Sequence, residues 1–186
     1  GNFLKNVARV RAETYDLEIS PDGNNFLTAS RDSAVRIWDW NGKTLKTLRG
    51  HMSDVNAACY APNQQYIATA GKDGLVIVWD TAGNIVRRFD HHAVVNSVVF
   101  SSDNQMILTG CADNTAKLWN LDGTLLTTYG GHGGWVRSAI FSPDGKYVLT
   151  GSWDNTAKIW SIDGSEINTL AGHWEKVEAV AWSPDN

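Results

Sequence analysis

The chain has 186 residues, of which 42% are apolar and 10% aromatic, so it can bury a sizeable core. Its formal net charge is −4 and its 16 basic residues are scattered, so no basic cluster predicts nucleic-acid binding. No apolar run approaches the roughly 20 residues of a membrane-spanning helix, so we expect no membrane partner.

Recurring residues divide the chain into units of nearly constant length. Trp38, Trp79, Trp119 and Trp160 lie 41, 40 and 41 residues apart, each within a segment such as "TGSWDNTAKIW". Before these segments the sequence repeats a Gly-His or Asp-His pair and a turn of the type "SPDG". A period of this length is typical of stacked structural repeats. We therefore treat residues 1–186 as a single repeat array without linkers.

In chain order, each unit reads as four short strands. We predict the last strand of a unit over residues 3–8 and the first strand of a further unit over residues 177–182. Between them lie four full units, over approximately residues 12–49, 53–89, 93–130 and 134–171. Alternating apolar and polar residues predict the strands, and Asp-Asn or Asp-Gly pairs suit the tight turns. No helical period occurs, so the predicted class is all-β, with four-stranded antiparallel sheets.

The repeated Gly-His, "SPDG" and Trp-Asp elements resemble the WD-repeat family over nearly all of the chain. The Trp-Asp pair is present at residues 38–39 and 79–80 and becomes Trp119-Asn120 and Trp160-Ser161 later. The resemblance implies a β-propeller, in which four-stranded blades surround a central channel. Four full units with partial flanking strands would form an incomplete ring. We expect part of a longer array, the alternative being a larger assembly whose subunits complete one another.

His132, Thr150 and Asp154 have the side chains of a nucleophilic triad. The same spacing recurs in the two preceding units, whereas an active site is needed only once. We therefore expect a structural role, no catalytic residue and no enzyme activity. The resemblance implies buried hydrogen-bonded tetrads, which are His51, Thr69, Asp73 and Trp79; His91, Thr109, Asp113 and Trp119; and His132, Thr150, Asp154 and Trp160.

The first unit departs from this pattern. It has Thr28, Asp32 and Trp38, but Val10 stands at the histidine position. Thr28 and Asp32 then need other partners, so we expect this unit to be the least rigid of the four.

Other sites have weaker support in the sequence. His91, His92 and Cys111 could suggest a metal, but adjacent residues of an extended chain point to opposite sides. No Gly-rich loop joins a strand to a helix, as a nucleotide site would require. We expect no metal and no cofactor. Cys59 and Cys111, with no glycosylation sequon, favour free buried thiols over a disulfide and a cytoplasmic protein, or a nuclear one in a eukaryote.

Trp153 occupies a position that holds Arg31, Lys72 or Ala112 in the other units, so it is not a core position. The resemblance places this position, and two more per unit, on the face around the channel mouth, where partners dock. Trp and Arg are enriched in binding hot spots, and the alternative is that these side chains only cover loops. The predicted partner-binding residues are Trp135, Arg137, Trp153, Lys176, Glu178, Lys72, Arg31, Tyr15, Asp54, Asn56 and Asn96.

These features favour a non-enzymatic scaffold that binds a protein or peptide on the channel-mouth face. The alternative is the sensor or autoinhibitory array of a larger signalling protein, such as a nucleotide-dependent switch. A third class, an enzyme, lacks any constellation of reactive residues that occurs once.

Overall fold

The computed structural model describes residues 12–184, and this part of the chain contains strands and no helix. The strands are β1 (Thr14–Ile19), β2 (Asn25–Ser30), β3 (Ala34–Asp39), β4 (Thr44–Arg49), β5 (Val55–Tyr60), β6 (Tyr66–Gly71), β7 (Leu75–Asp80), β8 (Ile85–Asp90), β9 (Val95–Phe100), β10 (Met106–Cys111), β11 (Thr115–Asn120), β12 (Leu125–Gly130), β13 (Val136–Phe141), β14 (Tyr147–Ser152), β15 (Thr156–Ser161) and β16 (Glu166–Ala171). With no helix present, none of the described residues form a helix able to cross a membrane.

The strands form four antiparallel sheets, each built from four strands that are consecutive in the chain. We call the sheets blades 1 to 4, from β1–β4 to β13–β16. The third strand of each blade carries the recurring tryptophan, which lies opposite an apolar residue of the second strand. This arrangement confirms the predicted all-β class with four-stranded antiparallel blades.

The turn between the second and third strands of each blade requires a left-handed residue. Gly74 has a φ of 82°, and Asn114 and Asn155 each have a φ of 69°. Glycine adopts this conformation without steric cost, and asparagine tolerates it better than most residues. The Asp-Gly and Asp-Asn pairs of the sequence therefore place each tetrad aspartate at the start of a tight hairpin.

Apolar side chains between neighbouring blades form the core. Leu27, Val35 and Leu48 of blade 1, for example, pack with Val55 and Trp79 of blade 2. Equivalent clusters join blades 2 and 3 and blades 3 and 4. Each blade thus buries its apolar faces against the blades beside it, and the blade contacts position the turns at each end of the strands.

The two outer faces of this array are open. Leu17 in blade 1 is 57% exposed, whereas Ala58 at its equivalent position in blade 2 is 2% exposed. At the other end, Leu170 is 44% exposed, while its equivalent Leu48 is 3% exposed. Residues that neighbouring blades cover elsewhere therefore lack a covering blade at both ends. The four described blades form an incomplete ring, as predicted.

The two predicted partial strands have different outcomes. Residues 3–8 lie outside the described part of the chain. Residues 177–182 form no strand, and here the prediction is wrong. The Val177 N–H donates to the Ser152 carbonyl at 3.0 Å, and the valine is 8% exposed. The segment packs against blade 4, but no described strand forms a hydrogen-bonded ladder with it, and a β-strand needs such a ladder.

Candidate functional site

A cavity of about 440 Å³ opens where the second-to-third-strand turns meet the beginnings of the first strands. All four blades contribute to its wall. It is lined by Tyr15, Asn56, Lys72, Val94, Asn96, Trp135, Arg137 and Trp153. We call it the tryptophan cavity. Seven of these eight residues are among those predicted to bind a partner, and Val94 is the addition.

Two stacked tryptophans form the blade 4 side of the tryptophan cavity. The ring centroids of Trp135 and Trp153 lie 4.7 Å apart with an interplanar angle of 13°. The Lys176 ammonium lies 3.9 Å from the Trp153 centroid, which leaves it no room on the face that Trp135 occupies. Both faces of Trp153 are therefore covered from within the chain. Trp135 is 41% exposed, so it offers the open aromatic surface.

Trp153 lines the cavity as one of the predicted partner-binding residues, and contacts within the chain hold its side chain in place. Its indole N–H donates to Glu178 at 2.9 Å, and the ring is half-buried. The sequence pattern identified the position as variable, which is true, but it could not show that residues 176 and 178 close over the ring. Trp153 supports Trp135 rather than presenting a free face of its own.

Arg137 connects blade 4 to blade 3 across the cavity wall. Its Nε donates to Glu178 at 3.1 Å and its Nη1 donates to the Asn96 side-chain oxygen at 3.0 Å. Asn96 in turn donates from Nδ2 to the Val136 carbonyl at 2.9 Å. These bonds hold the guanidinium in one orientation along the wall.

Tyr15, Asp54 and Lys72 form a second group on the opposite side of the cavity. Asp54 accepts hydrogen bonds from the Lys72 ammonium at 2.7 Å and from the Tyr15 hydroxyl at 3.1 Å. The bond from Lys72, ahead of other causes, lowers the pKa of Asp54. Asn56 donates to the Val95 carbonyl at 2.9 Å, so it bridges blades 2 and 3 as Asn96 bridges blades 3 and 4.

The remaining predicted residues stand around the cavity rather than in it. Asp54, Lys176 and Glu178 contact residues that line the cavity, as described above. Arg31 pairs instead with Glu13 at 3.2 Å, and both side chains are more than half exposed. The structure thus places Arg31 on the rim, outside the residues that line the cavity.

Two tetrads are closed hydrogen-bonded chains. In blade 2, the Trp79 indole donates to Thr69 Oγ1 at 2.9 Å and the hydroxyl lies 2.8 Å from His51 Nε2. His51 Nδ1 lies 3.0 Å from Asp73, which also accepts the Met52 N–H at 2.8 Å. With Nδ1–H donating to the carboxylate, Nε2 accepts from the hydroxyl, so every polar group in the chain has a partner.

The tetrad of blade 4 is closed in the same way. His132 lies 2.7 Å from Thr150 and 2.8 Å from Asp154. Burial lowers the pKa of His132, against the opposing effect of Asp154. Burial alone would raise the pKa of Asp154, but hydrogen bonds from Thr156, the Gly133 N–H and His132 together hold it well below its usual range.

The tetrad of His91, Thr109, Asp113 and Trp119 is incomplete, and here the prediction needs correction. His91 Nε2 lies 2.9 Å from Thr109, but Nδ1 donates to the Phe89 carbonyl at 3.4 Å instead of to Asp113. The buried Trp119 indole N–H has no acceptor in the described part of the structure. Burial lowers the pKa of His91 to about 4, so the ring is neutral.

Two competing partners explain the open tetrad. Lys117 donates to Asp113 and draws the carboxylate away from His91. In blade 4 the equivalent Lys158 donates to Glu166 at 2.9 Å, but Leu125 stands at that position in blade 3. Asp90 replaces the glycine that precedes the histidine in blades 2 and 4. Its carboxylate accepts the backbone N–H of His92, the residue after the tetrad histidine, at 2.9 Å. These exchanges are local and leave the blade intact.

In blade 1 a similar exchange occurs. Asp32 forms a two-point ion pair with Arg36, which lowers the pKa of the carboxyl. The Trp38 indole still donates to Thr28 at 2.9 Å. The Val10 position lies outside the described residues, so the predicted weakness of this blade stays a prediction.

Two acidic residues on β1 were missed by the sequence reasoning. Asp16 accepts the Ala58 N–H at 3.0 Å and Glu18 accepts the Tyr60 N–H at 3.1 Å, which ties β1 to β5. Burial is the main cause that raises the pKa of Glu18 to about 7. Aligning the units could have found them, because residues at these positions in blades 2 to 4 are uncharged.

Neither cysteine forms a disulfide. Cys59 and Cys111 are both free and buried, as expected. Burial raises the pKa of the Cys111 thiol to about 12. Among residues 12–184, no group of three or more His, Cys, Asp or Glu side chains is arranged to hold a metal ion.

Comparison with known proteins identifies similar sequences across the described blades. A family model described as the IFT122 first beta-propeller matches residues 13–186. A guanine nucleotide-binding protein subunit beta-like protein of Encephalitozoon cuniculi is 33% identical over 113 residues, covering 57% of this chain and 34% of that protein. The small ribosomal subunit protein RACK1 of Drosophila melanogaster is 31% identical over 114 residues, covering 55% of this chain and 36% of that protein.

A third relative is a much longer protein. The apoptotic protease-activating factor 1 of Rattus norvegicus is 29% identical over 107 residues, which cover 57% of this chain but only 9% of that protein. The matched part of the chain therefore spans about a third or less of the length of each of these relatives.

Proposed function

The chain belongs to the WD-repeat β-propeller family, and from this premise we propose that it is a non-enzymatic scaffold that binds a protein or peptide at the tryptophan cavity. Proteins of this family are generally interaction scaffolds. For this chain we propose specifically that the partner binds on the channel-mouth face, in the tryptophan cavity, and contacts the residues that line it.

Trp135 is the observation that carries the proposal. It is 41% exposed on the wall of a 440 Å³ cavity, held in place by its stack on Trp153. An aromatic ring fixed before binding loses little conformational entropy when a partner covers it. Trp and Arg are the side chains most enriched in hot spots, and Arg137 lies beside the stack.

The burial of the histidine networks favours a scaffold over an enzyme. Thr150 is 0% exposed, and its hydroxyl lies against His132 and the Trp160 indole. A nucleophile must reach a substrate, and this hydroxyl lies in the interior of blade 4. The same network in blade 2 has the same geometry, which fits a role in holding blades together.

Partner capture with matched tryptophan variants tests the proposal. The protein is immobilised, and bound proteins from a lysate of its source are identified by mass spectrometry. Trp135→Ala should lose a partner that wild type retains. The control is Trp40→Ala, because Trp40 is 52% exposed and donates to the Gly23 carbonyl at the opposite ends of the strands. A partner lost with Trp40→Ala but kept with Trp135→Ala would contradict the proposed face.

A second candidate is the sensor or autoinhibitory array of a larger signalling protein. The rat relative favours this candidate. The matched region is only 9% of that protein, so an array of this kind occurs there within a much longer chain. The open outer faces at Leu17 and Leu170 fit further blades, in a longer chain or an assembly. The native gene product should then be larger than these four blades, and a P-loop in its flanking sequence would support a nucleotide-dependent switch.

The free buried thiols support placement of the protein in a reducing compartment, the cytoplasm or, in a eukaryote, the nucleus. Imaging of the tagged native gene product tests this. Residence in an oxidising compartment would contradict it.

A further inference from the structure

The side chains that line the tryptophan cavity carry charge of one sign. Lys72 and Arg137 are basic, and none of the lining residues is acidic. The carboxylates that pair with these two bases, Asp54 and Glu178, are not part of the lining. A group inside the cavity therefore lies against two cations, while the carboxylates that pair with them stand outside the lining.

Both bases keep hydrogen-bond donors for a further group. The Lys72 ammonium has three N–H bonds, and its side chain is 45% exposed. Arg137 uses Nε toward Glu178 and Nη1 toward Asn96, so its Nη2 is engaged by neither bond. The pairing carboxylates fix where these donors point, which reduces the entropy lost when an anion binds.

We propose that the tryptophan cavity recognises an acidic side chain of a protein segment, flanked by an apolar or aromatic residue that packs on Trp135. The proposal rests on the proposed function and adds the chemical class of the bound residue. A carboxylate can accept charge-assisted hydrogen bonds from Lys72 and Arg137, which are stronger than neutral ones. Val94, Tyr15 and Trp135 supply the apolar surface beside them.

The aromatic rings could instead suggest a basic ligand held by cation–π contacts. The charges already present oppose this. The Lys176 ammonium lies 3.9 Å from the Trp153 centroid, and the Arg137 guanidinium lies 5.7 Å from it. A basic side chain entering the cavity would meet like charges on the stack and at Lys72, so an acidic one is favoured.

A second cavity, of about 510 Å³, has the opposite charge. It lies at the turns between the first and second strands of blades 3 and 4, where Asp103 and Asp144 are the charged lining residues. Its wall contains no Lys or Arg. An acidic segment should therefore avoid this cavity, which makes residues near it suitable controls.

The experiment uses the whole protein and three pools of short randomised peptides, in which a fixed Phe adjoins a fixed Glu, Gln or Lys. Binding of each fluorescent pool is measured by anisotropy. The Glu pool should bind about tenfold more tightly than the Gln pool, as expected for hydrogen bonds to charged groups. This preference should shrink as salt is added.

Substitutions then locate the preference. Lys72→Gln and Arg137→Gln should each reduce the ratio of Glu-pool to Gln-pool affinity at least about threefold. Lys146→Gln should leave it unchanged, because Lys146 pairs with Asp144 at the second cavity and its side chain is 73% exposed. Urea midpoints of the variants confirm that they are folded.

Two outcomes separate this inference from the proposed function. Equal binding of the Glu and Gln pools, still lost in Trp135→Ala, would overturn the acidic class and leave the binding face standing. Preference for the Lys pool would do the same. Binding that Trp135→Ala does not weaken, or no binding by any pool, would overturn the inference and count against peptide binding at this face.

Discussion

The closed and open tetrads allow a comparison of the same substitution at two equivalent positions. Asp73→Ala removes the acceptor of the buried His51 Nδ1–H and of the Met52 and Leu75 N–H groups. Side chains of His51 and Asp73 are 2% and 8% exposed, so water replaces the lost carboxylate poorly. At about 1–3 kcal/mol for each buried donor left without an acceptor, we expect a loss of about 2–4 kcal/mol.

Asp113→Ala should cost less, although the sequence places Asp113 in the same role. Its carboxylate binds Lys117 and Thr115 and makes no contact with His91 within hydrogen-bond distance. The Asp113 side chain is 33% exposed, and ion pairs in such settings contribute about 0–1 kcal/mol. We expect a loss of about 1 kcal/mol, including the bond to the Thr115 N–H.

Urea unfolding followed by tryptophan fluorescence measures both variants against wild type, with the m-value checked for constancy. The expected difference between the two losses is at least about 1 kcal/mol. Equal losses would refute the reasoning, because they would mean that the His51 network contributes no more than an exposed ion pair.

Three further predictions concern stability and the titration of His91. Glu18→Gln should stabilise the protein by about 1–3 kcal/mol at pH 8 and by almost nothing at pH 4. The raised pKa of Glu18 means that the wild-type protein loses stability as pH rises from 4.5 to about 7, whereas the glutamine variant does not. Urea unfolding at both pH values checks this. Trp160→Ala should cost about 3–5 kcal/mol by opening a cavity, while half-buried Trp153→Ala costs about 1–2; thermal melts showing equal losses would contradict the difference. Lys117→Ile introduces the residue type that Ile77 has at the equivalent position of blade 2. It should release Asp113 toward His91 and so raise the pKa of His91, as measured by NMR titration. An unchanged pKa would mean that another contact keeps the tetrad open.

The sequence predicted the blades well because the features that form them are local and repeated. Alternation along each strand, the Asp-Gly and Asp-Asn hairpins and a tryptophan in every third strand require no knowledge of distant contacts. Trp79 and Trp160 donate to the threonines that lie ten residues before them, as the resemblance to the WD-repeat family implies. The positions around the channel mouth also recur in each unit, and seven of the residues predicted there line the tryptophan cavity, but their role in binding stays a prediction.

The failures arise where an unrepeated neighbour competes for a partner. Asp90 stands where blades 2 and 4 have glycine before the histidine, and Lys117 stands where they have Ile77 and a lysine directed to Glu166. Together Asp90 and Lys117 leave the His91 tetrad open. Lys176 covers the Trp153 ring although it lies 23 residues farther along the chain, so no local pattern reveals this contact. Asp16 and Glu18 differ from their equivalents in sequence, but their burial depends on the approach of β5.

We propose that residues of the tryptophan cavity bind a partner while the tetrads hold the strands of each blade together. Calorimetric titration of a captured partner into wild type and Trp135→Ala, with the unfolding free energy of the same samples, tests it most directly. We predict that Trp135→Ala weakens binding by about 2 kcal/mol or more and changes stability by less than about 1 kcal/mol. Unchanged affinity, or a loss of affinity matched by an equal loss of stability, would contradict the claim.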